Sequence, residues 1–143
     1  ELMAKDWNIE SDVWSVTSFT ELARDARTAE RWNRLDPTDT ACRSHVDVCL
    51  DSTAPVIAAT DYVRALPQLI ASYIKPSYTV LGTDGFGRSD TRSELRKFFE
   101  VDRYQIVLAA LTALVSQGRL KATVCAEAIE RYGISVSTAP WES

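Results

Sequence analysis

The sequence predicts an α/β domain with a mostly parallel sheet, and three observations carry that reading. Three short runs have strand composition: Asp12–Ser18, Pro55–Thr60 and Tyr78–Thr83. They are rich in β-branched and aromatic residues, and the first alternates apolar with polar or small side chains. Each run leads into a helical pattern with its own start signal. Strands alternating with helices are the mark of βαβ units and a parallel sheet. The chain has 143 residues, enough for one domain with a core of its own, and contains no internal repeat. The whole of 1–143 therefore reads as a single domain.

The elements follow in order. Leu2–Trp7 has the pattern of the last turns of an amphipathic helix, with no N-cap before it. On that ground the sequence reads as a fragment of a longer chain. After the first strand, Ser18 and Glu21 form an S-x-x-E capping box. The helix then runs from Phe19 to about Leu35, with Leu22, Ala26, Ala29 and Trp32 sharing much of one face. Asp36-Pro37 ends it. Residues 38–44 are polar and read as a loop. Val46–Leu50 fits a strand or a short helix. Pro55 sits at the first position of its run, where a strand tolerates it. Asp61 caps a helix from Tyr62 to Ile74, with a kink expected at Pro67. Lys75-Pro76-Ser77 is a turn before the third strand.

Thr91 and Glu94 form a second capping box, which opens a helix to about Phe99. Tyr104–Gln117 is a strongly apolar helix stopped at Gly118, and Lys121–Tyr132 is a helix stopped at Gly133. The remainder contains Pro140 and Trp141 and has no periodicity. Trp14 and Trp32 are expected to be core or interface anchors.

Composition narrows the function classes. Apolar content of 45% and charged content of 25% are those of an ordinary folded domain. A net charge of −4 with no basic block argues against a nucleic-acid partner. The longest apolar stretch, Ile106–Val115, is about half the length of a membrane span. The cysteines, Cys42, Cys49 and Cys125, are odd in number and form no C-x-x-C. With His45 as the one histidine, they fall short of a four-ligand zinc site. They read as reduced thiols of a cytoplasmic protein.

The candidate site is the stretch from Tyr78 to Arg92. An apolar run breaks into a glycine-rich loop, Gly82-x-x-Gly85-x-Gly87, and then meets Ser89, Asp90 and Thr91 at a helix start. Such junctions present backbone N–H groups to an anion. The spacing matches neither dinucleotide-binding nor P-loop glycine patterns. Asp84 and Asp90 disfavour a phosphate, while Arg88, Arg92, Arg96 and Lys97 partly offset them. The loop residues Asp84, Gly85, Gly87, Arg88, Ser89, Asp90 and Arg92 are thus candidates for an interface or an anion site. Ser89 lacks the G-x-S-x-G context of a nucleophile, and His45 is the one histidine that could serve it as a base. No self-contained catalytic constellation emerges.

Three stretches carry a family resemblance: Asp12–Leu22, Glu30-Arg31-Trp32-Asn33 and, above all, Leu81-Gly82-Thr83-Asp84-Gly85-Phe86-Gly87-Arg88-Ser89-Asp90-Thr91-Arg92. Ala58–Tyr62 and Phe99–Asp102 extend it. The chain resembles the C-terminal domain of the homodimeric pyruvate dehydrogenase decarboxylating component, a transketolase-like family. The resemblance implies a three-layer α/β domain. It also implies an intact enzyme that uses thiamine diphosphate and magnesium to decarboxylate pyruvate and acetylate a lipoyl group. The implied partners are the remainder of the subunit, a second copy, and the lipoyl acyltransferase of a cytoplasmic complex. The implied role of this segment is structural, at the dimer interface and inactive alone; an anion- or partner-binding module is the alternative.

No cofactor residue carries over. Thr83-Asp84-Gly85 lacks the glycine that opens the family's G-D-G cofactor motif. The paired asparagines of that motif are absent too, since Asn8 and Asn33 stand alone and upstream. Asp36 stands where the family has histidine in W-N-x-L-H-P. The family's domain also opens with a strand and a full helix, of which only the helix end remains here. Backbone groups are then left unpaired at a sheet edge or gap, and either self-association or a loosened core is expected.

Overall fold

A computed structural model describes residues 1–135; the stretch holding Pro140 and Trp141 lies outside the described residues. Helix α1 (Leu2–Trp7) comes first, then α2 (Phe19–Leu35) and α3 (His45–Cys49). Strand β1 (Val56–Ala59) leads to the short α4 (Ala65–Gln68) and a 3₁₀ turn at Ala71–Tyr73. Strand β2 (Tyr78–Leu81) is followed by α5 (Arg92–Phe98), α6 (Arg103–Ser116) and α7 (Thr123–Tyr132).

Among the described residues the sheet has two strands. They run parallel, with Val56 opposite Tyr78 and Ala59 opposite Leu81. Parallel neighbours need a crossover, and the stretch containing α4 supplies it. The α/β class with parallel pairing is as expected.

Two apolar clusters hold the elements together. Ala23, Val46, Ile70 and Ile74 pack with Phe19, Leu22, Leu50, Val56 and Tyr78, joining α2 and α3 to the sheet. The small side chains Ala23, Ala26 and Ala29 form the buried stripe of α2, which lets that helix lie close to its neighbours. The second cluster is built on Val107, Leu111 and Ala128, with Leu2, Met3, Trp7 and Ile9 packed against it. Leu111 and Ala128 are fully buried where α6 and α7 meet. Helix α6 also packs on β1 and β2, so it connects the second cluster to the sheet.

The start and stop signals work as physical chemistry requires. The Ser18 hydroxyl accepts the Glu21 N–H, and the Thr91 hydroxyl accepts the Glu94 N–H. Asp102 caps α6 by accepting from the N–H groups of Tyr104 and Gln105, both at 2.9 Å. Gly118 and Gly133 take left-handed conformations (φ 71° and 60°) just past α6 and at the end of α7.

Several expectations need correction. Asp12–Ser18 is not a strand: no element forms between α1 and α2, and none of the backbone hydrogen bonds among the described residues involves residues 10–17. Strand preference measures fit to a paired, half-buried surface, and this run has no neighbour to pair with. Trp14 is accordingly exposed, and Trp32, on α2, is exposed as well, so neither is a core residue. The helix expected over 62–74 divides into α4 and the 3₁₀ turn. Pro67 cannot sit deep in a helix; it occupies the third position of α4 and is buried there. Val46–Leu50 resolves as helix: α3 is capped by the Ser44 hydroxyl, which accepts the Asp47 N–H at 3.2 Å.

Candidate functional site

The glycine loop leaves the carboxyl end of β2, the position where open parallel sheets place their ligand crevices. Gly82 has no room for a side chain. A Cβ there would lie 2.7 Å from Arg64 Cγ and 2.9 Å from the Tyr62 carbonyl oxygen. Close approach, not turn geometry, therefore fixes glycine at this position. Thr83 then ties the loop to the segment after β1: its N–H donates to the Tyr62 carbonyl at 2.9 Å, and its hydroxyl to the Asp61 carbonyl at 3.2 Å. The Asp84 carboxylate accepts the Arg64 N–H at 3.4 Å and faces the Arg64 guanidinium at 3.6 Å.

Beyond this anchored base the loop turns through Gly85, at φ 87°. Phe86 stands at the tip, 91% exposed. Gly87 is open, with nothing within 4 Å of an added Cβ. Arg88 lays its guanidinium 4.4 Å from the centroid of the Phe98 ring, which fastens the outgoing arm to α5. The loop is thus held on both sides of an exposed aromatic residue.

At the helix start, Asp90 accepts the Thr91 N–H at 2.7 Å, and Thr91 accepts the Glu94 N–H. These protein oxygens take donors that an anion would use. Ser89 is exposed, and His45, the sole histidine, sits on α3 with Nε2 3.4 Å from Cys49 Sγ. Arg92 is the exposed first residue of α5.

One pair at this junction was not legible in sequence. Arg96 clamps Asp61 across 35 positions, with Nε and Nη2 at 2.8 and 2.6 Å from its two carboxylate oxygens. The hydrogen bonds from Arg96 hold the Asp61 carboxyl below the usual carboxylate range, with the charges of Arg96 and Arg92 acting in the same direction. The sequence pattern makes Asp61 a helix cap; in the structure its side chain instead joins the segment after β1 to α5. An open cleft of about 810 Å³ lies here, lined among others by Thr60, Asp61, Ser93, Arg96 and Arg103.

A second cleft, about 420 Å³, lies beside Arg88, Lys97, Phe98, Tyr104 and Tyr132. Tyr132 stacks on Tyr104 at 4.8 Å; its hydroxyl accepts from Trp7 Nε1 at 2.7 Å and donates to Asp6 at 2.9 Å. Among the described residues no group of three or more His, Cys, Asp or Glu side chains is arranged to hold a metal ion. No described helix is long and apolar enough to cross a membrane.

Comparison with known proteins agrees with this architecture. Residues 1–102 match the family described as transketolase-like TK C-terminal domain. The chain is 54% identical over 135 residues to the pyruvate dehydrogenase E1 component of Cupriavidus necator. It is 52% identical over 136 residues to that of Pseudomonas aeruginosa and 46% over 135 residues to that of Escherichia coli. Each match covers 94% of this chain and 15% of the relative, so the chain spans about one-seventh of those proteins' length. The chain belongs to the transketolase-like C-terminal domain family.

Proposed function

We propose that this chain is the C-terminal domain of a pyruvate dehydrogenase decarboxylating subunit, and that the Gly82–Arg92 loop is a contact surface completing that subunit and its dimer. The observation that carries the contact role is Phe86. A bulky apolar side chain stands free at the tip of a loop whose two arms are tied to the domain. Preorganised exposed aromatics are the residues that anchor interfaces, because they bury large area at little entropic cost.

In the intact enzyme, thiamine diphosphate with magnesium would supply the decarboxylation of pyruvate, and the acetyl group would pass to the lipoyl group of a partner acyltransferase. The described residues do not fit that cofactor. The acids nearest the loop, Asp61 and Asp84, each face an arginine. This segment therefore acts by shape and contact, is inactive alone, and works in the cytoplasm as part of a homodimer.

The test uses the full-length polypeptide. Phe86→Arg should leave the fold intact and weaken dimerisation, read by analytical ultracentrifugation, with pyruvate-dependent acetylation of lipoyl domains falling in proportion. An unchanged dimer and unchanged activity would remove the contact role from this loop. Added phosphate protecting 87–92 amides from hydrogen exchange would instead support an anion site.

A further inference from the structure

We propose that Cys49, with His45 as its base, is a site of thiol–disulfide exchange that takes a small disulfide, such as glutathione disulfide, and keeps half of it as a mixed disulfide. The reading uses none of the Gly82–Arg92 loop, so it stands or falls apart from the contact role above.

The chain has three thiols and one imidazole. That imidazole lies against Cys49: His45 Nε2 is 3.4 Å from Cys49 Sγ, at the protein surface. The two residues are one turn apart on α3 and so share a face of that helix. The backbone carrying the pair is held from outside it. Asp25 accepts the His45 N–H at 2.7 Å, and the Ser44 hydroxyl caps the helix. Arg43 bridges Asp47 and Asp51, at 2.8 Å each, and Lys75 pairs with Asp47. On the inner side Val46 and Leu50 pack into the first apolar cluster.

The other two thiols have different neighbours. Cys42 is exposed where Cys49 is half-buried, and the Asn33 amide binds the Cys42 backbone, not its sulfur, at 2.7 and 2.9 Å. Cys125 Sγ faces the Thr112 hydroxyl at 3.7 Å, which is no base. A thiolate, not a thiol, is the nucleophile in disulfide exchange, so a base set against the sulfur decides which cysteine reacts. With its own proton on Nδ1, His45 takes the Cys49 proton on Nε2. The Cys49 thiolate then attacks one sulfur of the incoming disulfide. A new S–S bond forms to that sulfur as the original S–S bond breaks. The released thiolate takes the proton from His45 and leaves as a free thiol. Cys49 is thereby oxidised and the departing half reduced, so the small disulfide is the one reactant needed.

The test uses the reduced full-length polypeptide under native conditions with glutathione disulfide as the probe. The reaction is stopped with N-ethylmaleimide, and tryptic peptides are read by mass spectrometry. Cleavage after Arg34, Arg43, Arg64, Lys121 and Arg131 puts Cys42, Cys49 and Cys125 on separate peptides. Cys49 should gain the glutathionyl group at least about tenfold faster than Cys42, the reverse of the order that exposure alone gives. His45→Gln should bring Cys49 down to the rate of Cys42 or below and leave Cys42 unchanged. The comparison within the unmodified chain needs no variant and decides by itself should His45→Gln fail to fold. Cys49 reacting no faster than Cys42 overturns the proposal. So does a folded His45→Gln chain in which Cys49 keeps its rate, or in which both cysteines slow equally.

Discussion

At the scale of single residues, the two outer glycines of the loop do opposite things. Gly82 is closed in by Arg64 Cγ and the Tyr62 carbonyl. A side chain can move Arg64 but not the backbone oxygen at 2.9 Å. Gly82→Ala should therefore destabilise the fold by about 1–3 kcal/mol, read as a lower urea midpoint. Gly87 has open space and no positive φ, so Gly87→Ala should be neutral or stabilising by up to about 1 kcal/mol through the unfolded chain. Glu100 raises a related point. It closes α5 in a left-handed conformation at φ 58°, its N–H donating to the Lys97 carbonyl and that of Val101 to the Arg96 carbonyl. Glycine suits this position better, and Glu100→Gly should raise the midpoint by up to about 1 kcal/mol in stability. Sequence signalled a glycine-rich turn at 82–87 but not which glycine was sterically fixed, because the wall against Gly82 comes from residues 60–64.

At the scale of elements, local signals were legible and pairing was not. The caps at Ser18 and Thr91, and the stops at Gly118 and Gly133, involve residues within a few positions of each other, and all appear in the structure. The strand expected at 12–18 failed because its missing partner is a non-local fact, and the helix expected at 62–74 failed because one proline outweighed its apolar pattern. Hydrogen bonds between elements also set the pH response. Asp47 is held below its usual range, first by Arg43 and then by Lys75, and Asp61 chiefly by Arg96. A carboxylate with a depressed folded pKa contributes stability that is present above the unfolded value and lost as pH falls through the folded one. Acid titration should therefore weaken the ties of α3 to Lys75 and of β1 to α5 as pH drops below about 4. At the alkaline end, burial pushes the Tyr78 phenol up to about 12, while its hydroxyl donates to the Pro67 carbonyl at 2.9 Å. Its folded pKa is raised, so its contribution is complete below the unfolded value near 10 and declines as pH rises toward 12. Tyr78→Phe should reduce the alkaline slope between those values, the raised phenols of Tyr73 and Tyr132 supplying the rest, and cost about 0.5–1.5 kcal/mol at neutral pH, both measured by urea unfolding across pH.

At the scale of the whole molecule, the chain has two apolar clusters that share no buried residue, and the question is whether they unfold together. The connection is α6. It carries Val107 and Leu111 into the second cluster and packs on both strands, while Val56 and Tyr78 of those strands pack on the first. Gln117, just past the helix, adds a hydrogen bond to the Thr53 carbonyl at 3.2 Å. Loss of α6 would strip one face of a two-stranded sheet, which is not stable alone. The two clusters should therefore melt in a single transition. Leu111→Ala is the sharpest probe, because the side chain is 0% exposed and its removal leaves a cavity costing about 2–5 kcal/mol. With Trp14, Trp32 and Trp141 replaced by Phe, the fluorescence of Trp7 reports on the second cluster, while the far-ultraviolet signal also follows α2, which packs in the first. If α6 couples the halves, Leu111→Ala lowers the urea midpoint by the same amount in both signals. A fluorescence transition that moves while the circular dichroism transition stays would divide the chain into two separately folding parts and undo the reading of it as one domain.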